Sequence, residues 1–441
     1  MKQKSYLIYF VLFFAISFFL PLQTEGESAG LAVNIEKITL ENGLSVFFNH
    51  DDSSAVTIIQ LLINGGKRAE PAGKEGLAYL AARLLLEIPD QGKAEKLMSQ
   101  STRFSMNCMS DFSQIEIACL TENLDETLKL SIELFSKPLF SGNRISHLKD
   151  WMNQQRETRD DDSINIARAA FAEHFFKGTP YSSSVFGSKE SLKSIKTNDV
   201  KSFYQEYFRT GNIVITVSSD LDKDRFLSIF HKHFISLNKG TSPPFQEIFF
   251  SQPAKQEIFL ELDRQQSLVS IGFPLPKTTP RRYALALVLE TLLGKGVNSL
   301  LWPLRSESRL AYNVSAQANL LKEGGFIEAY LETDNEKREQ AETELEIILH
   351  ALHTNGIEEN ELDTTKAYAR SELLRDLETK HKKTSLIAAF ENLGLGAGFI
   401  NGLIQEIQAI SLEEFNAYLE EILDPDKSLC LIVGPELTVD Q

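Results

Sequence analysis

Cysteine is scarce in this chain, with three in 441 residues, and that excludes a disulfide framework. Cys108 and Cys119 fall on the two arms of one hairpin turning near Asp111, with Cys108 facing a residue near Gln114. Cys119 then stands about four residues, or ~13 Å, out of register, too far to be bridged. Cys430 lies in a late apolar strand, and all three read as buried thiols. Positive charge is also short. The 45 Lys plus Arg against 61 Asp plus Glu leave a net −16 with no basic block, which argues against nucleic acid or an anionic membrane as partner. C-x-x-C, G-x-S-x-G and G-x-G-x-x-G are all missing. Gly73-Lys74 is not a phosphate loop, because Arg68 replaces its first glycine and Glu75 its magnesium-holding Ser or Thr.

The start of the chain stands apart. Lys2 and Lys4 precede an apolar stretch from Tyr6 to Leu22, and small and polar residues follow from Gln23 to Gly30. That order is a secretory signal, expected over residues 1–26. The stretch sits near the lower limit for a spanning helix, so an uncleaved membrane anchor is the alternative. No other long apolar run follows. The mature protein is expected to be soluble and exported, periplasmic in a diderm bacterium.

What remains is one unit written twice. The first copy reads as a hairpin, Ile35 to Phe48, with an Asn42-Gly43 turn signal, then a strand, Val56 to Ile63, and a helix from about Lys74 to Ile88. A second hairpin, Arg103 to Leu120, a helix, Leu124 to Ser136, and a long helical region lead to a closing helix and the strand Ile213–Ser218. The second copy repeats this order: strand Ser267–Phe273, helix Arg281–Leu293, hairpin Tyr312–Leu331 and helix Lys337–His353. It closes with a helix capped at Ser411 and the apolar strand Leu429–Val433. Between them, residues 237–255 carry Gly240, Pro243, Pro244 and Pro253, a linker composition. The fold expected is α+β: two homologous modules, residues 33–236 and 256–436, each an antiparallel-type sheet packed with helices, facing each other across a cleft.

Eight histidines invite a search for zinc, which needs three or four His, Cys or carboxylate ligands in tetrahedral reach. His350 and His353 are three apart on a helix, and His231 and His233 two apart, but neither pair has a carboxylate at ligand spacing. All read as helix-end histidines, and His50, His147, His174 and His381 stand alone.

Two stretches carry more. The first runs Gly66-Lys67-Arg68-Ala69-Glu70-Pro71-Ala72-Gly73-Lys74-Glu75-Gly76-Leu77-Ala78-Tyr79-Leu80-Ala81-Ala82-Arg83-Leu84, and the second Leu304-Arg305-Ser306-Glu307-Ser308-Arg309-Leu310-Ala311-Tyr312-Asn313-Val314-Ser315. Both resemble the pitrilysin/insulinase family of zinc metallopeptidases, which includes the mitochondrial processing peptidases. The first is similar to its zinc helix and the second to its C-terminal "LR…LAY.VS" element. Gln265-Gln266-Ser267 with Ile271-Gly272-Phe273, and Pro180-Tyr181 with Gly187, fit too. The likeness spans nearly all of residues 33–435 and implies a LuxS/metallopeptidase-like fold.

The departure from the family is specific. Its zinc helix carries H-x-x-E-H, two ligands and a water-activating glutamate. Here those positions hold Tyr79, Ala82 and Arg83, and the third ligand, a later glutamate, falls on Gln154 or Gln155. No zinc is expected in this chain. Tyr79 and Arg83, four apart on one face, are expected to fill the vacated pocket as a stacked or hydrogen-bonded pair. Arg305 and Tyr312 match the family's substrate-binding Arg and Tyr, which donate hydrogen bonds beside the scissile bond. Without the resemblance, Arg305 would read as a surface salt-bridge residue and Tyr312 as a half-buried strand tyrosine. The combination implies a catalytically incomplete subunit, not active alone, of an exported two-subunit peptidase. Its zinc-bearing homologous partner would complete the site around a peptide or small protein. A non-enzymatic scaffold or peptide-binding protein of the same fold is the alternative.

Overall fold

The computed structural model describes residues 33–88, 90–159, 161–244, 247–248 and 254–436; the leader expected over residues 1–26 and part of the expected linker lie outside them. The first sheet is built from β1 (Ile35–Thr39), β2 (Ser45–His50), β3 (Val56–Asn64), β4 (Arg103–Cys108), β5 (Phe112–Leu120) and β6 (Ile213–Ser219). The second uses β7 (Gln256–Glu261), β8 (Gln266–Leu275), β9 (Asn313–Leu321), β10 (Gly324–Asp334) and β11 (Leu429–Gly434). Their orders are β1-β2-β6-β3-β5-β4 and β7-β11-β8-β10-β9. Removing β1 superimposes one order on the other, so the duplication read in the sequence is a duplication of topology. Each sheet is antiparallel apart from one pair, β2–β6 in the first and β7–β11 in the second. A strand that returns after a whole module of intervening chain is free to pair in parallel.

Burial follows position. Central β3 reads Val-Thr-Ile-Ile-Gln-Leu-Leu-Ile-Asn and is buried throughout its middle, because both faces of the sheet are covered. Edge β7 alternates exposed and half-buried residues. The first hairpin turns through residues 40–44, closed by Leu40 N–H to Leu44 O at 2.9 Å, with Gly43 at φ +88°. Cys108 pairs with Ser113, one residue from the expected Gln114, and the three thiols are free and buried. Burial pushes the Cys108 thiol up to about 12 and Cys119 to about 11, so neither is poised as a nucleophile.

The halves exchange helices. The Ser163–Phe175 helix, from the first half, lies on the second sheet, where Ala167, Phe171 and Phe175 pack with Leu268, Phe326, Leu429, Leu431 and Val433. Gly272 in β8 permits this approach, since a Cβ there would lie 2.7 Å from the Phe171 ring. Reciprocally, the Lys380–Leu393 helix reaches the first sheet. This contact is polar: Lys380 Nζ donates to Ser54 O and Val56 O at 2.6 and 2.9 Å, and Lys383 pairs with Asp51 at 2.6 Å. Gln60 Nε2 donates to Ser385 Oγ at 2.7 Å, and His381 Nδ1 meets Glu116 at 2.6 Å. Residues from Val33 onward therefore make one compact unit rather than two separable ones.

Candidate functional site

The helix expected from Lys74 to Ile88 is α-helical only over Leu77–Leu84. Gly76, at φ +93°, turns the chain into it, and beyond Leu84 the N–H groups make tighter i→i+3 bonds, Leu86 N–H to Arg83 O at 3.0 Å among them. A crossing loop presses on this entry: a Cβ on Gly187 would sit 2.1 Å from Glu75 O, and one on Gly76 3.0 Å from the Phe186 backbone. Glu70 caps the helix, its Oε1 accepting the N–H groups of Gly76 and Ala78 at 3.0 and 2.8 Å. Its Oε2 is buried without a partner among the described residues. Burial outweighs the two N–H bonds and raises this carboxyl to about 8. Neighbouring Lys67 is buried too, donating to Tyr181 O and Ser183 O at 2.8 Å each, and burial brings its ammonium down to about 8.

At the three motif positions, Tyr79 is buried, Ala82 is fully buried and Arg83 is half-buried. Tyr79 and Arg83 do not simply face each other. Both meet Trp151, on the Gly142–Arg159 helix that should have supplied the third ligand. The Tyr79 and Trp151 rings are nearly parallel, with centroids 6.1 Å apart, and Phe186 closes edge-on at 4.9 Å. The Arg83 guanidinium lies 5.6 Å from the Trp151 ring centroid and pairs with Glu87 at 3.5 Å. Gln154 is exposed and Gln155 half-buried.

These residues do not fit zinc. Burial pushes the Tyr79 phenol above its ordinary value and so disfavours the phenolate a metal would need. Ala82 offers a methyl group, and Arg83 is a permanent cation. Among the described residues, no three His, Cys, Asp or Glu side chains stand together as a metal site. The carboxylate partners that two histidines do find, Asp125 for His233 at 2.6 Å and Glu116 for His381, are tertiary pairs invisible as spacing.

Arg305 and Tyr312 stand in the other half. Arg305, on the short Trp302–Ser306 helix, is exposed, with its guanidinium 5.1 Å from the Trp302 ring centroid. Leu304 O accepts the N–H groups of Leu310 and Ala311 at 2.8 and 3.1 Å, which folds the chain back before β9 begins. Tyr312, just ahead of β9, is 54% exposed rather than half-buried. Its backbone N–H is held by Glu332 O at 2.8 Å, and its phenol donates to Asp334 Oδ1 at 2.8 Å.

A cleft of about 860 Å³ lies between the two halves, lined among others by Lys67, Arg156, Arg168, Gln317, Asn319 and Glu328. Arg168 spans it, with Nε to Glu328 at 2.7 Å and a second nitrogen on Gln317. None of the motif positions, nor Arg305 or Tyr312, lines it. Beside it the hairpin turns of the two sheets are clamped by residues that spacing did not single out. Asp111 takes Arg68 at 3.0 Å, the Tyr181 phenol, and Lys322 N–H at 3.1 Å, while Glu323 takes Arg68 at 3.7 Å and Lys277 at 2.9 Å.

Known proteins share both the sequence and the fold. Residues 45–189 match the family model described as Insulinase (Peptidase family M16), and residues 194–368 the model described as Peptidase M16 inactive domain. The chain is 26% identical over 384 residues to the "Non-peptidase homolog YmxG" of Helicobacter pylori, covering 85% of this chain and 88% of that one. The crystal structure of a peptidase M16 inactive domain from Pseudomonas fluorescens superposes with a TM-score of 0.83 at 20% identity, over 92% of this chain and 99% of that one. The periplasmic protease PqqL of Escherichia coli superposes with a TM-score of 0.76 at 14% identity, over 92% of this chain but 48% of its own length. With a family model on each half, the chain belongs to the insulinase (M16) peptidase family, as a member whose sequence contains no H-x-x-E-H.

Proposed function

We propose that this chain is the non-catalytic subunit of an exported two-subunit zinc metallopeptidase, binding substrate through Arg305 and Tyr312 for a homologous partner that carries H-x-x-E-H and the zinc. One contrast carries the reading. The motif corner is packed shut by Trp151, while Arg305 and Tyr312 remain exposed and outside the chain's own cleft. Side chains so placed are available to a peptide held between two chains, where a guanidinium and a phenol can hold its backbone for chemistry supplied from the opposite wall. The E. coli structure supports the pairing, since this chain accounts for about half of it. In this reading residues 1–26 are a leader, cut or kept as an anchor, residues 33–236 and 256–436 are the two homologous modules, and residues 237–255 link them. The substrate is an unfolded peptide or small protein.

The H. pylori relative's designation as a non-peptidase homologue favours a second reading, a scaffold or peptide-binding protein that supports no proteolysis. Affinity isolation of the tagged full-length chain from its host separates the two. A stoichiometric zinc-bearing homologue, with peptidase activity that neither chain has alone, is the expected result. A zinc-free, inactive chain, alone or on an unrelated assembly, would replace the first reading with the second.

A further inference from the structure

Tyr312 has one proton to donate, and it donates it to its own chain. The phenol O–H meets Asp334 Oδ1 at 2.8 Å, while Asp334 Oδ2 takes Lys337 Nζ at 2.8 Å, and Lys337 also reaches Arg309 O at 3.4 Å. The backbone fixes this arrangement. Asp334 ends β10 and Tyr312 precedes β9, with Tyr312 N–H on Glu332 O. A phenol whose hydrogen is committed to a carboxylate presents only lone pairs to anything approaching from solvent. The Arg305 guanidinium is the opposite case: it can only donate, it is exposed, and the contact it makes 5.1 Å from the Trp302 ring centroid is with a ring face rather than a hydrogen-bond acceptor.

We propose that Arg305 and Tyr312 recognise a peptide as a donor and an acceptor, Arg305 giving to a peptide carbonyl and Tyr312 taking a backbone N–H, with Asp334 as the positioning residue that sets this polarity. The resemblance implied two donors beside the scissile bond; the Asp334 bond makes the second an acceptor. An amide carries both groups, so a donor–acceptor pair selects extended polypeptide backbone in its ground state rather than a developing oxyanion. The inference rests on the substrate-binding reading of the pair. It adds what each side chain does there.

Two measurements test it. In the full chain labelled with ¹³Cζ-tyrosine, the Tyr312 resonance, assigned by its loss in Tyr312→Phe, is followed with pH. The carboxylate holds the phenol protonated, so Tyr312 ionises above ordinary tyrosine, returns to it in Asp334→Ala, and stays nearer the native value in Asp334→Asn, whose Oδ1 still accepts. A Tyr312 that titrates alike in native protein and Asp334→Ala overturns the proposal. The second uses the chain with any co-purifying partner and fluorescein-labelled peptides from unfolded casein. Tyr312→Phe is expected to weaken binding roughly 5-fold, the worth of one hydrogen bond, and to cancel the loss caused by N-methylating a single amide of the bound peptide. If Arg305→Ala weakens binding but Tyr312→Phe lowers only kcat at unchanged KM, Tyr312 is a donor and this proposal fails alone. If neither substitution changes affinity, the substrate-binding reading fails and the proposal with it.

Discussion

Trp151 stands between the motif helix and the third-ligand helix, against both Tyr79 and Arg83, so reinstating ligands does not by itself reopen the corner. The triple variant Tyr79→His, Ala82→Glu, Arg83→His is expected to purify without stoichiometric zinc while Trp151 and the amides at 154 and 155 remain. Metal analysis of the dialysed protein checks this; a full equivalent would show that the indole is no obstacle. The absence of H-x-x-E-H was legible in the sequence, and the resemblance assigned its positions to Tyr79, Ala82 and Arg83. What replaced it was not, because a tryptophan three or four residues ahead of the third-ligand position has no spacing rule that assigns it to a vacated metal site. Glu70 gives a second test at this scale. Its folded value near 8 lies above the ordinary 4.5, so its favourable state is the protonated one, fully present below about pH 4.5 and lost as pH rises through 8. Glu70→Gln should match the native melting temperature near pH 4.5 and exceed it progressively up to about pH 8. Across that range its stability advantage should grow by ~1.4 kcal/mol for each pH interval of one. Parallel melting curves would refute the burial account.

Between elements, the two exchanged helices are held by different forces. Phe171 sits in an apolar contact under Gly272, so Phe171→Ala should cost roughly 3–5 kcal/mol in denaturant unfolding at any pH. Lys383 works through charge. Burial opposes ionisation of Asp51, but the hydrogen bonds from Lys383 and Ser53 outweigh it and hold the carboxyl at about 2. With a folded value below the ordinary 3.8, the contribution is present above about pH 4 and lost as pH falls through 2. Lys383→Ala should therefore cost about 2 kcal/mol at neutral pH and progressively less toward pH 2, a convergence that acid titration of the two proteins would reveal or deny. The strands were readable because period-2 and continuous apolar runs mark them, as in β3 and β11. The motif helix is shorter than its composition suggests: Gly76 and the loop pressing on it from Phe186–Gly187 delay its start, and the i→i+3 bonds after Leu84 end it. The helix exchange left no local trace, since which sheet an apolar stripe covers is decided by chain path rather than composition.

For the molecule as a whole, the repeated strand order was visible as self-similarity, and the two sheets follow it. The clamp at Asp111, with Arg68, Tyr181 and Lys322 converging from segments far apart in sequence, was not visible, for it exists only once the two hairpin turns meet. On the proposed reading, a chain so closed on itself, with Trp151 packed against Tyr79 and Arg83 and with Arg305 and Tyr312 exposed, takes a peptidase role only beside a second chain. The most direct test is turnover of an unfolded peptide by the reconstituted complex carrying Arg305→Ala in this subunit. A fall of ~10-fold or more in kcat/KM, with assembly and zinc content of the partner unchanged, is the predicted result. Unaltered turnover at equal assembly would contradict the account.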